Sequence, residues 1–179
     1  MLRLRQYKKC DADKILSWCR DEHTFTMWGG DHIGSYPLSE SVFNSVYFDK
    51  NGNCAEEDNF YPVTAFDDDG IVGHFIIRYI NGDINTLLRF GWVIVDDSRR
   101  GQGIGRKMLM LGLEYAFGIM GADIVTIGVF EDNIPAYRCY LSAGFHSSDT
   151  TDNIPGCDGP RVIELYITKE KYKDTEREK

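Results

Sequence analysis

The stretch LLRFGWVIVDDSRRGQGIGRKMLMLGLEYAFGIMG, residues 87–121, limits the fold more than any other part of the chain. It opens with an apolar run from Leu87 to Val95 that reads as a strand. It ends with Ile104, Met108, Leu111 and Tyr115 at helical spacing, on a segment apolar enough to lie against a sheet. Between the two, Gly101, Gly103 and Gly105 stand at alternate positions. A further apolar run, DIVTIGVF at 123–130, follows the helix. Strand, tight loop, helix and strand in that order predict a βαβ crossover.

The rest of the chain is built differently. Leu2, Leu4 and Gln6 alternate with Arg3, Arg5 and Tyr7, the pattern of a first strand. DADKILSWCRDEHTF, residues 11–25, predicts one short helix capped by Asp11 or Asp13, and MWGGDHIGSYP a loop. LSESVFNSVYFDK predicts a second helix, with Ser39 or Ser41 near its start. FYPVTAFD, a turn at DDDG, IVGHFIIRYI, a turn at NGDINT and LLRFGWVIVD predict antiparallel strands. NIPAYRCYLSAG is a short helix closed by Gly144, and RVIELYIT a late strand. The expected fold class is therefore α/β: a mixed, mostly antiparallel sheet flanked by helices, with the crossover in its second half. One domain over residues 1–168 is expected, and the polar segment 169–179 is expected to be a tail.

Charge and cysteine use narrow the function classes. A net charge of −8, from 28 acidic and 20 basic side chains, argues against a nucleic-acid partner. An acidic surface would suit a cationic substrate such as an amine. No apolar run approaches the roughly 18–20 residues needed to cross a bilayer, so no membrane partner is expected. MLRLRQYKKC lacks a signal-peptide core, which makes the expected location cytoplasmic. Cys10, Cys19, Cys54, Cys139 and Cys157 form no CxxC pair and have no obvious His partner, so free, mostly buried thiols are expected rather than disulfides or a metal site.

The glycine loop admits two readings. Glycines tolerate positive φ and let the backbone approach a ligand closely. At a helix N-terminus, unpaired N–H groups and the helix dipole suit a phosphate or diphosphate, and Arg99, Arg100 and Arg106 add positive charge. The same glycines would also serve a tight βα turn with no ligand. Nucleotide motifs fit poorly. A Walker loop needs Gly-Lys-Ser/Thr, whereas Gly105 is followed by Arg106 and Lys107. The dinucleotide fingerprint GxGxxG is replaced by GxGxGR, and Asp123 falls before its strand rather than at a strand end.

Together, VIVDDSRRGQGIGRKML and VFEDNIPAYRCYLSAGF resemble the two signatures of the GCN5-related N-acetyltransferases, the GNAT family. Arg100, Gly103 and Gly105 match the first motif, Arg/Gln-x-x-Gly-x-Gly/Ala. Asn133, Ala136, Tyr140, Gly144 and Phe145 match the second, and the resemblance spans roughly residues 60–146. It implies acetyl-CoA as cosubstrate and an acyl-CoA N-acyltransferase fold. The backbone of Gly101, Gln102, Gly103, Ile104, Gly105 and Arg106 would hold the CoA diphosphate. Val93, Ile94 and Val95 would pair with the pantetheine arm as with another strand, in a gap splayed open from the strand 124–129. Asn133 would bond the arm, and Tyr140 would protonate the departing thiolate while a backbone N–H of the 93–95 strand stabilises the oxyanion. From the residues alone, Asn133 also reads as a helix cap before Pro135, and Tyr140 as a packing residue beside Tyr137 and Leu141.

The resemblance also marks a departure. In the family branch that acetylates ribosomal protein N-termini, a glutamate stands five residues before the asparagine, and here that position is Gly128. Glu131, Asp96 and His74 are substitutes by residue type only, and no base is assigned. The acceptor, an amine on a small molecule, peptide or protein, would meet the loop TFTMWGGDHIGSYP, with Phe25, Trp28, Asp31, His32 and Tyr36; that loop equally reads as core packing. Dimers are common in the family. The competing readings are a CoA-binding sensor without turnover, and a phosphate or nucleotide binder using the glycine loop alone.

Overall fold

The computed structural model describes residues 1–80, 87–147 and 162–177, with side chains up to residue 174. The turn expected at NGDINT and Cys157 lie outside the described residues. Seven strands form one sheet: β1 (Arg3–Gln6), β2 (Tyr61–Asp67), β3 (Gly70–Tyr79), β4 (Leu87–Val95), β5 (Ile124–Phe130), β6 (His146–Ser147) and β7 (Val162–Thr168). Their order is β1-β2-β3-β4-β5-β7-β6. Every neighbouring pair is antiparallel except β4 and β5, which run parallel as the crossover requires.

The helices are α1 (Ala12–Ser17), α2 (Glu22–Trp28), α3 (Glu40–Phe48), α4 (Ile104–Gly118), α5 (Ile134–Ser142) and α6 (Lys169–Arg177). They cover the two faces of the sheet, because alternate strand residues are apolar on both. On one face, Phe75, Ile77, Leu88, Phe90, Val125, Ile127, Leu165 and Ile167 pack against Met108, Leu109 and Leu113 of α4 and against Tyr140 and Phe145. On the other, Ile76 and Ile94 meet Trp18, Phe25, Trp28, Phe43 and Tyr47 from the α1–α3 region. His74 is buried on this second face within an aromatic cluster, its Nε2 2.8 Å from the Tyr47 hydroxyl oxygen.

Three local expectations need correction. The single helix expected over residues 11–25 is two helices. Asp21 takes extended backbone angles and accepts the Thr24 N–H at 2.6 Å, so it starts α2 afresh. Asp11 does not cap α1 with its side chain. Its carboxylate instead receives the Arg5 guanidinium at 2.7 and 2.8 Å, the Lys8 N–H and the Thr64 hydroxyl. The segment expected to be a tail is α6, docked by a hydrogen bond from the Lys169 N–H to Asp123 and by Tyr172, whose ring lies 5.2 Å from that of Phe117. Ser39 caps α3 as expected. Among the described cysteines all four are free, but only Cys19 is buried; Cys10 is exposed.

Candidate active site

The site forms where the parallel pair comes apart. β4 and β5 are in register from Leu87 opposite Ile124 to Phe90 opposite Ile127, and the pairing stops there. Beyond that point β4 continues along β3 to Val95, while β5 continues along β7 to Phe130. A β-bulge contributes to the divergence: the register shifts so that Trp92 and Val93 on β4 stand against Phe75 alone on β3. Trp92 takes a positive φ of 46°, unusual for a bulky residue. The indole N–H of Trp28 donates to its carbonyl at 2.7 Å, so α2 holds the bulge in place.

A cleft of about 690 Å³ opens along the freed edge of β4. Val93, Ile94, Val95, Arg100, Gly101, Gly103, Ile104, Gly105, Arg106, Asn133 and Tyr140 all line it. Gln102, expected in this set, is exposed and lies outside the lining. The loop glycines divide their work. Gly101 and Gly103 hold positive φ, 77° and 74°, and a Cβ on either would meet nothing within 4 Å. Gly105 is helical and serves packing: a Cβ there would lie 2.9 Å from the Cys139 Sγ on α5. Gly103 is the N-cap of α4, and it has no side chain to cap the N–H groups of the first turn.

The arginines of the loop mostly brace the cleft. Arg99 pairs with Asp67 at 2.8 Å, Arg100 reaches the carbonyls of Val95 and Trp18, and Arg106 donates to the Ser142 carbonyl at 2.7 Å. With these guanidinium groups engaged, what the loop offers an anion is its main-chain N–H groups and the α4 dipole.

Asn133 caps α5, its Oδ1 accepting the Ala136 N–H at 3.3 Å, and it also lines the cleft. The cap uses the side-chain oxygen and leaves the amide donors. Two turns along, Tyr140 is buried, which pushes its phenol well above the usual range, with the Cys139 thiol adding to the shift. Cys139 lines the cleft beside it, and burial raises that thiol too.

A second cavity, about 420 Å³, lies on the sheet face that carries α2. Trp28, His32, Ile76, Arg78, Arg89, Trp92 and Gly128 are among its walls. The two cavities share Met27, Trp28, Val93, Asn133 and Tyr140. From the aromatic loop singled out in the sequence, Trp28 and His32 face this cavity. Phe25 and Tyr36 pack on each other at 5.6 Å, and Asp31 is outside the lining. None of Glu131, Asp96 and His74 lines either cavity. Asp96 accepts from the Ser98 N–H and hydroxyl, and Glu131 is exposed. Sequence reasoning missed Arg78, Arg89 and Glu164, because what joins them is strand register.

A sheet split at one parallel strand pair, with a glycine loop at the head of the crossover helix, defines the class of acyl-CoA-type transferase folds. The sequence matches the description "Acetyltransferase (GNAT) domain" over residues 1–146, and the chain belongs to this family. Solved structures of the same fold include aminoglycoside acetyltransferase AAC(6')-Ib in complex with coenzyme A, at 20% identity and a TM-score of 0.76 over 98% of this chain and 99% of that one. They also include spermidine N-acetyltransferase from Vibrio cholerae in complex with CoA and spermine, at 19% identity and a TM-score of 0.74 over 96% and 98%. Among the described residues no helix is long and apolar enough to cross a membrane.

Proposed function

We propose that the protein is an acetyl-CoA-dependent N-acetyltransferase that moves an acetyl group to a primary amine by direct transfer within a ternary complex. The carrying observation is that the cleft along β4 and the cavity on the α2 face meet at Tyr140, Asn133 and Val93. One substrate in each would bring thioester and amine together at that junction. The AAC(6')-Ib and spermidine acetyltransferase structures, which hold CoA, are consistent with this use of the fold.

In this reading the N–H groups of residues 101–106 take the diphosphate, and Val93–Val95 offer their unpaired edge to the pantetheine arm. Asn133 bonds the arm where it turns inward. The amine nitrogen, having lost a proton to solvent, attacks the thioester carbonyl; a C–N bond forms, and the oxyanion is held by a main-chain N–H at the bulge. The C–S bond then breaks, the thiolate takes the phenolic proton of Tyr140, and the second proton that the nitrogen loses as the amide forms returns through water to the phenolate. Burial suits Tyr140 to this role, because it keeps the proton on the oxygen until a strong base is generated beside it. Gly128 stands where the family branch has its glutamate, and the described lining of the α2-face cavity holds no Asp or Glu; in this reading water takes the proton from the amine.

Two measurements test the proposal. Acetyl-CoA should raise the melting temperature while ATP and NAD do not, by linkage to the folded state. Free thiol should then appear from acetyl-CoA only when an amine is added. Stabilisation without thiol release on any amine would identify a CoA-binding sensor; stabilisation by ATP instead would place the protein among nucleotide binders.

A further inference from the structure

The acceptor-side cavity differs in sign from the chain around it. The chain carries a net charge of −8, yet the described lining includes Arg78, Arg89 and His32 and no Asp or Glu. Arg78 and Arg89 stand directly opposite one another on β3 and β4, an arrangement in which like charges repel. Glu164 relieves one of them. It sits opposite Gly128 on β7 and receives Arg89 in a two-point pair, 2.7 and 2.7 Å. A Cβ at Gly128 would lie 2.6 Å from the Arg89 Nη2 and 3.1 Å from the Glu164 Oε1, so glycine there leaves space for the pair. Arg78 is half-buried, and its side chain makes no ion pair or hydrogen bond among the described residues.

We infer that the acceptor is a small primary amine that also carries a carboxylate, and that Arg78 binds this carboxylate while the amine faces Tyr140. The inference rests on the acetyltransferase reading. A planar guanidinium beside a second, already neutralised one is a fork for a carboxylate, and its binding neutralises the remaining charge on this wall. A polycationic amine would add like charge to the same wall and is selected against. The dimensions agree: at strand rise, the four residue steps from Arg89 to Val93 span about 13 Å of β4, part of which the arginine side chains cover. Arg78 is thus a specificity residue, and the acidic surface outside the cavity does not report on its occupant.

The test is thiol release from acetyl-CoA by the full chain. The panel sets free α-amino acids and acidic dipeptides against the same compounds with every carboxylate capped as amide, with spermidine and an aminoglycoside as polycations. The expected result is a kcat/KM at least tenfold higher for one or more carboxylates than for its amide, with spermidine and the aminoglycoside lowest. Arg78→Gln should bring that ratio close to one, mainly through KM, and Arg78→Lys should recover part of it. The wild-type ratio carries the test even if a variant folds poorly. A ratio near one in the wild type, a preference for the polycations, or a ratio untouched by Arg78→Gln overturns the inference and leaves the acetyltransferase reading standing. Thiol release with no amine in the panel overturns both. The free amino acid and dipeptide arms separate a single-residue acceptor from a peptide one.

Discussion

Trp28 and Trp92 join α2 to the bulge of β4: the indole N–H of the first donates to the main-chain carbonyl of the second at 2.7 Å. Both residues line the acceptor-side cavity, and Trp28 also lines the cleft along β4. This one hydrogen bond therefore ties α2 to the strand that borders both cavities. Trp28→Phe keeps most of the ring and removes the donor, leaving the carbonyl of a strained residue unsatisfied. We expect a stability loss of about 1–2 kcal/mol in urea unfolding, and a larger relative loss in kcat, because the bulge no longer holds its N–H groups in place.

Tyr140→Phe removes only an oxygen. If the phenol protonates the leaving thiolate, turnover should fall by about 10²- to 10⁴-fold, with acetyl-CoA affinity little changed. The burial that raises the phenol also predicts that wild-type activity shows no loss attributable to Tyr140 as pH rises to 9. An unchanged rate in Tyr140→Phe near neutral pH would show that the thiolate leaves unassisted.

Gly103→Val tests the loop. Gly103 has a φ of 74° with open space around its would-be Cβ, so a side chain strains the backbone without a clash. The expected cost is about 1–2 kcal/mol of stability, alongside loss of acetyl-CoA binding by calorimetry, since the side chain would occupy the space that the N–H groups face. A variant that still binds acetyl-CoA with wild-type affinity would mean that the glycines serve only the turn.

Gly128→Ala probes the space that holds the Arg89–Glu164 pair. Its Cβ would press on the far end of a flexible arginine, so stability should change by less than about 1 kcal/mol, while the acceptor KM rises as the pair swings aside. Equal KM values for both proteins would show that the pair does not shape the cavity.

His74 predicts a pH dependence of stability. Burial lowers its pKa from 6.5 to about 3, so the folded protein holds it neutral while the unfolded chain protonates it below 6.5. The stabilisation is complete above pH 6.5 and declines as pH falls towards 3, by up to about 1.4 kcal/mol per pH unit. Urea unfolding of His74→Phe between pH 7 and 5 should lack the slope that this residue contributes.

Much of the fold was legible because the signals are local. The strand, glycine loop and helix of residues 87–118 follow one another along the chain, and their periodicity carries the crossover. The spacing from Asn133 to Tyr140 likewise lies on a single helix, so both residues face one cleft by helical geometry alone. Helix boundaries were less legible. The break between α1 and α2 depends on Asp21 adopting an extended conformation, and α6 depends on Phe117 being there to receive Tyr172.

By itself, then, the sequence determined which residues gather at the cleft: glycines at the head of the crossover helix, and an asparagine and a tyrosine two turns apart on α5. Only the tertiary structure decided what lies across from it. Arg78 meets Arg89 through the β3–β4 register, Glu164 meets Gly128 through the β5–β7 register, and Trp28 reaches Trp92 across 64 positions. The physical reason is range. Helical spacing is set within a few residues, whereas strand register is set by bulges and return connections between distant segments, and a shift of one residue would turn every one of these side chains to the opposite face.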